Sequence, residues 1–218
     1  MLRLQVDPAR PDPAALERAV EVLRQGGIVA FPSDTLYGLS CDPANLKALE
    51  ALFRLKGRPP SRRLPFIAGD AAQARELVSF ESETARRLAE RFWPGPLSLV
   101  LPLSRPDRLA VWPWGKSLAI RVPALQAARE LALMAGLPIP ATSANLSGRP
   151  PVRDPDRLEP ALTARLDLLL DGGPLPESLP STLIDLTTSP PKILRRGAIS
   201  REALESVPGA ESPEPEEA

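Results

Sequence analysis

The 218-residue chain contains no histidine and a single cysteine, Cys41. Without histidine, the commonest general base and the commonest metal ligand are missing, which closes Ser-His-Asp hydrolysis and zinc-hydrolase chemistry. A lone cysteine excludes an internal disulfide and any cysteine-cluster metal site. No apolar run approaches the roughly 18 residues that a membrane span needs, and Met-Leu-Arg-Leu-Gln-Val-Asp at the N-terminus lacks an apolar signal region. No membrane partner and a cytoplasmic location are therefore expected. Net charge is absent too, with 27 bases against 27 acids. The stretch after Gly209, however, holds four acids, Glu211, Glu214, Glu216 and Glu217, and no base. Setting these aside leaves 23 acids against 27 bases, a body of about +4 that suits a small anionic ligand or docked RNA better than tight non-specific DNA binding. Residues 1–207 read as one domain with a substantial core, and 208–218 as a disordered acidic tail.

What is present centres on Gly26 to Arg63. An apolar β-type run, Ile28 to Phe31, ends at Pro32 and leads into a hydroxyl- and glycine-bearing turn, Ser33 to Gly38, where a strand end presents polar groups. Farther on, Arg54, Lys56, Arg58, Arg62 and Arg63 stand together with no acid among them. Pro59 disfavours the α conformation at Arg58, so Lys56 and Arg58 are expected on an extended segment, both facing one way. Two converging cations suit a phosphate. The plain alternative is a solvated charge run favoured by a helix C-terminus, with Arg62 and Arg63 the more exposed members.

Asp12-Pro13 predicts a helix N-terminus, and Leu16, Ala19, Val20 and Leu23 continue at helical spacing until Gly26. Asp42-Pro43 predicts the start of a second helix that buries Leu46, Leu49, Leu52 and Phe53. Short strands are expected at 64–68, 97–101, 118–122, 138–142 and 166–170, with a final pair at 181–185 and 193–197. Helical patterns occupy about 71–78 and 82–92, and a further helix follows Pro123. Arg121 lies inside an apolar run, either facing solvent or as a buried cation with a carboxylate partner. Ser143 and Asn145 offer a hydroxyl and an amide to one side, or cap their own backbone. Alternating strands and helices predict an α/β sheet with helices packed against it. Gly115-Lys116-Ser117 is not a P-loop, because Ala110 stands where the first glycine is required and a strand follows.

Taken jointly, the strand ends at Thr35, Ser143 and Ser181 and the cations Lys56, Arg58, Arg121 and Arg195 make a site along one sheet edge. On these residues the chain closely resembles the YrdC-like family of threonylcarbamoyl-AMP synthases. The matching segments are Phe31-Pro-Ser-Asp-Thr-Leu-Tyr-Gly-Leu39, Lys56-Gly-Arg-Pro59, Phe92-Trp-Pro-Gly-Pro-Leu97, Ala119-Ile-Arg-Val-Pro123, Ala141-Thr-Ser-Ala-Asn-Leu-Ser-Gly148, Ser181-Thr-Leu-Ile-Asp185 and Leu194-Arg195, in family order. The resemblance implies a twisted, mixed α/β sheet flanked by helices around a large basic concavity. It implies conversion of ATP, L-threonine and bicarbonate to threonylcarbamoyl-adenylate and pyrophosphate, for modification of tRNA through downstream threonylcarbamoyl-transfer proteins. Magnesium is expected with the ATP, held chiefly by its phosphates. By resemblance, Lys56 and Arg58 are catalytic; Lys56, Arg58, Ser117, Asn145 and Arg195 bind ATP; Thr35, Arg121, Ser143 and Ser181 bind threonine.

Two departures bear on threonine selectivity. The strand Leu64-Pro-Phe-Ile-Ala-Gly69 lacks the histidine that many relatives place there, and a threonine expected after the Ser-x-Asn motif falls near Arg153. Longer members carry an extra C-terminal domain, for which this chain ends too soon. The alternative function is a non-catalytic RNA-binding protein of the same fold, docking tRNA or double-stranded RNA through phosphate and sugar contacts. A carbamoyl-transfer enzyme on this scaffold is disfavoured, because the zinc-type cysteine pairs are missing.

Overall fold

The structure, a computed structural model, describes residues 1–59, 63–111 and 114–212. Arg62 and the acids Glu214, Glu216 and Glu217 lie outside the described residues. The strands are β1 (Leu2–Gln5), β2 (Val29–Pro32), β3 (Tyr37–Ser40), β4 (Phe66–Ile67), β5 (Leu97–Pro102), β6 (Ser117–Arg121), β7 (Ile139–Pro140), β8 (Thr142–Ser143), β9 (Leu168–Asp171), β10 (Thr182–Asp185) and β11 (Lys192–Arg195). The helices are α1 (Pro13–Arg24), α2 (Leu46–Lys56), α3 (Ala71–Ala74), α4 (Glu83–Phe92), α5 (Gln126–Ala135), α6 (Pro160–Thr163) and α7 (Arg201–Glu205).

The expected mixed α/β fold is present, with its strands divided between two sheets. One is five-stranded in the order β1-β9-β2-β3-β8, and the other six-stranded in the order β11-β10-β5-β6-β4-β7. Both contain parallel and antiparallel pairs. The single strand expected at 138–142 is two. β7 pairs with β4 in the six-stranded sheet and β8 with β3 in the five-stranded one, so the chain changes sheets at Ala141, whose amide bonds Pro65 O at 2.8 Å. This crossing joins an edge strand of one sheet to an edge strand of the other.

Strand periodicity sorts the side chains. In β9, Leu168 and Leu170 face the cluster built with α1 and α5, while Leu169 joins the main core. In β6, Leu118 and Ile120 enter the main core, so Ser117, Ala119 and Arg121 must face the other way. β5 follows the same rule: Leu97, Leu99 and Leu101 point inward, Ser98 and Val100 outward. The six-stranded sheet thus has one apolar face and one face carrying hydroxyls and a cation.

Helix α1 begins where the sequence predicts, with Asp12 Oδ1 accepting from the Ala14 amide at 3.0 Å and Pro13 at N1. Helix α2 starts later than Asp42-Pro43 predicts. Asp42 Oδ1 accepts from the Ala44 amide at 2.8 Å, closing an Asx turn, and the cap passes to Asn45, whose Oδ1 accepts from the Ala48 amide at 3.2 Å. Leu46, expected on the buried face, is consequently 41% exposed in the first turn, whereas Leu49, Leu52 and Phe53 are buried.

Two strands lie outside the sequence expectations. β3 begins within the stretch assigned to a turn and runs on to Ser40, pairing antiparallel with β2, and β1 adds in parallel to β9. Residues 208–212, expected to belong to the acidic tail, are placed against the body. Val207 and Ala210 are buried, and Ser212 Oγ accepts from the Ile193 amide of edge strand β11 at 3.1 Å. Apolar anchoring and a filled edge donor outweigh the local charge there.

Tyr37 ties β3 to the loop after β9. Fully buried, it donates to Gly173 O at 2.8 Å and accepts from the Gly172 amide at 3.0 Å, and burial pushes its pKa up to about 12. Tyr37→Phe keeps the ring but leaves both backbone groups unpaired, so urea unfolding should show a loss of about 1–3 kcal/mol.

Candidate active site

A cavity of about 600 Å³ lies between the polar face of the six-stranded sheet and the β2–β3 and β8 ends of the five-stranded sheet. Of the nine residues singled out from sequence, eight line it: Thr35, Arg58, Ser117, Arg121, Ser143, Asn145, Ser181 and Arg195. They come from six separate segments. The alternation of β6 and the sheet crossing at Ala141 together place them around one space.

Arg121 resolves one open alternative. It is 8% exposed and donates from Nη1 to Asp34 Oδ2 at 2.9 Å, making it a buried cation with its carboxylate. Its Nη2 reaches Thr35 Oγ1 at 3.2 Å and Ser33 Oγ at 3.5 Å. The four-residue turn after β2 is itself stitched by Ser33 Oγ, which donates to Leu36 O at 2.6 Å and accepts from the Leu36 amide at 3.2 Å. The guanidinium is therefore held by a preformed turn of the other sheet. Asp34 and Ser33 were not among the candidates, although an acid between two hydroxyl residues at a strand end is the signal that finds them.

Beside this pair, Arg195 donates from Nε to Ser181 O at 3.0 Å and from Nη2 to Ser181 Oγ at 2.8 Å. The Ser181 and Ser98 hydroxyls lie 3.0 Å apart. Desolvation at the cavity wall, and then the charge of Arg121, lower the pKa of Arg195. Two like charges facing one space are an arrangement that an anion relieves.

Lys56 takes the helix C-terminal place of the plain alternative, without its solvent exposure. It is the last residue of α2 rather than part of an extended segment, because Gly57 (φ 58°) closes the helix in the left-handed conformation only after it. Lys56 is 3% exposed and is not on the cavity wall. Its Nζ donates to Ser143 O and, at 2.8 Å, to Asn145 O, from behind the turn that carries both candidate residues. Asn145 Nδ2 closes the turn onto Leu146 O at 2.9 Å and Arg149 O at 2.6 Å, while the Ser143 hydroxyl donates to Asn145 Oδ1. For Asn145 both sequence alternatives hold at once, since it bonds the local backbone and lines the cavity; Ser143 lines the cavity with its hydroxyl on the Asn145 side chain rather than on the backbone. Arg58 does reach the wall, and its Nη2 donates to Arg63 O at 2.5 Å. Arg63, set aside in sequence as a more exposed neighbour, also lines the cavity.

Burial, reinforced by the charge of Arg58, lowers the Lys56 pKa from 10.5 to about 8. The sign follows directly: between these values the unfolded chain binds a proton that the folded chain lacks, so stability rises with pH. Relative to Lys56→Met, the wild-type chain should gain about 2–3 kcal/mol of unfolding free energy between pH 7.5 and 10 in urea titrations. A difference independent of pH would mean that the amine stays charged in the fold.

The chain is similar to known proteins. Residues 21–197 match the Sua5/YciO/YrdC family model, described as "Telomere recombination". The chain is 37% identical over 196 residues to a threonylcarbamoyl-AMP synthase of Bacillus subtilis, covering 89% of this chain and 56% of that protein. A threonylcarbamoyl-AMP synthase of Pyrococcus abyssi is 36% identical over 191 residues, covering 88% and 56% respectively. Among solved structures, P. abyssi Sua5 complexed with L-threonine superposes with a TM-score of 0.87 at 34% identity, over 96% of this chain and 62% of the other. The chain spans little more than half the length of these two curated relatives. The stretch matched by the family model, residues 21–197, includes every residue that lines the cavity, and on that extent of match the chain belongs to the Sua5/YciO/YrdC family.

Proposed function

We propose that the chain is a threonylcarbamoyl-AMP synthase, using ATP, L-threonine and bicarbonate and releasing pyrophosphate. The observation that carries this reading is the convergence of Arg58, Arg121 and Arg195 with Thr35, Ser143, Asn145 and Ser181 on one cavity large enough for a nucleotide. The relatives at 36–37% identity that bear this name support it.

The chemistry fits the wall. Bicarbonate and the threonine amine combine with loss of water to give a carbamate. A carbamate oxygen then attacks the α-phosphorus of ATP, forming the new O–P bond while the bond to the pyrophosphate oxygen breaks. The nucleophile is already anionic, so no histidine is required at this step. What the protein supplies is alignment of two anions and neutralisation of the charge that develops between them. Arg121, with Thr35 and Ser181 beside it, suits the threonine carboxylate, and Arg58, Ser117, Asn145 and Arg195 suit the nucleotide. Lys56 serves from behind, through the 143–145 turn. Magnesium travels as part of the nucleotide substrate: among the described residues no group of three or more acidic, cysteine or histidine side chains is placed to hold a metal. The reactive adenylate would pass to proteins that transfer the threonylcarbamoyl group to tRNA. Among the described residues no helix is long and apolar enough to cross a membrane.

An RNA-docking face would spread its cations over an open surface, whereas these converge on a recess. The direct test is pyrophosphate release, which should require threonine and bicarbonate together; release from ATP without threonine defeats the synthase reading. Arg121→Lys preserves a cation for Asp34 but loses the planar fork. Threonine affinity should fall about tenfold with ATP affinity nearly unchanged, as measured by titration of each ligand.

A further inference from the structure

The wall carries a second arginine on the rim of the basic turn. Arg63 donates from Nη1 to Ser117 Oγ at 2.9 Å, and among the described residues no carboxylate lies within ion-pairing distance of it. Its guanidinium lies over Gly115, where a Cβ would come within 2.5 Å of Nη2; the glycine leaves the seat open. Arg58 in turn holds the Arg63 carbonyl. Arg63 is thus placed between two residues assigned to the nucleotide, bonded to the hydroxyl of one and fastened through its backbone to the other.

The position along β6 matters as much as the contact. Ser117 and Arg121 point to the same side four residues apart, roughly 13 Å at the rise of a strand. The Arg121 end also holds Arg195, Thr35 and Ser181. The Ser117 end holds Arg63. A cavity with cationic groups at both ends of one strand matches a substrate pair whose anionic groups are a carboxylate at one end and a polyphosphate at the other.

We propose that Arg63 is a binding residue for the terminal phosphates of the nucleotide and for the departing pyrophosphate, exchanging the neutral Ser117 hydroxyl for phosphate oxygens. The assignment rests on the synthase reading and deepens it. Ser117 Oγ is a weak, neutral partner for a guanidinium, whereas a phosphate oxygen makes a charge-assisted bond. The exposed head keeps its remaining donors available for a bidentate grip.

The test compares Arg63→Ala, Arg63→Lys and Arg54→Ala, the last removing a charge on the outer side of α2 where Arg54 faces Glu50 at 3.5 Å. Calorimetric titration with ATP, AMP and inorganic pyrophosphate reads binding without turnover. Arg63→Ala should weaken ATP and pyrophosphate roughly tenfold and AMP less than about twofold, Arg63→Lys should recover part of the loss, and Arg54→Ala should change none. Unchanged binding in Arg63→Ala, or equal weakening of AMP and ATP, overturns the assignment while the synthase reading stands. The same holds for a comparable loss in Arg54→Ala, which would reduce the effect to net charge. A wild-type chain that binds no ATP removes both.

Discussion

The buried ion pair between Arg121 and Asp34 is the contact on which the site's geometry depends. It joins the outward face of β6 in one sheet to the turn after β2 in the other, across the wall of the cavity. Taking both charges out of water costs several kcal/mol per ion, and their attraction offsets this only with good geometry and further hydrogen bonds. Here the Thr35 and Ser33 hydroxyls supply part of that need, yet Asp34 Oδ1 is buried without a hydrogen-bond partner. A pair of this kind adds little stability over an apolar contact. What it adds is placement: one guanidinium, held from one side by a preformed turn, with its orientation set before any ligand arrives. Removing one member alone strands the other, at a cost of about 3–5 kcal/mol.

Support from behind recurs at the second wall. The ammonium of Lys56 is engaged by two main-chain carbonyls of the turn that presents Ser143 and Asn145. A lysine in the last turn of α2 therefore fixes a loop nearly ninety residues away in sequence, and its own backbone carbonyl accepts from the Ser147 amide at 2.9 Å. Such a residue acts on a ligand through the groups it positions. Arg58, two residues on and past the left-handed Gly57, is released from the helix and reaches the cavity. The Lys-Gly-Arg spacing thus separates two roles, a pin inside the wall and a cation on its surface.

These particulars mark what was legible in the chain. Helix α1 could be read because cap, proline and apolar period agree; Thr35, Ser143 and Ser181 because each sits at the end of an apolar run, Arg58 from its unbalanced cationic neighbours, Arg121 as a charge within an apolar run, and Ser117 only through the family motifs. Strand β3 could not, since its four residues are all buried and include Gly38, leaving neither alternation nor β-branching to read. Lys56 was misplaced because Pro59 restrains only Arg58, while the local stop signal, Gly57, ends α2 after Lys56 rather than before it. The two-sheet arrangement was hidden in the six residues from Pro138 to Ser143, whose division between β7 and β8 is decided by partners distant in sequence. The Asp34 partnership is likewise a tertiary fact: residues 34 and 121 meet only once both sheets exist.

Absence of histidine then takes on a physical meaning. In the proposed reaction the attacking carbamate oxygen and the leaving pyrophosphate are both anions, so the barrier lies in bringing like charges together rather than in moving a proton. Arginine suits that task, because its guanidinium keeps its charge at every relevant pH and its fork fits carboxylate and phosphate alike. At Arg195, desolvation and then the charge of Arg121 lower the pKa, a cost that a bound anion relieves. The group with a pKa near the working range, Lys56 at about 8, is the one withdrawn from the wall. A cavity whose surface cations are, among the described residues, all arginines holds its field constant while pH varies, and in the proposed enzyme the titrating amine is confined to a place where it alters the loop rather than the charge that meets the substrates.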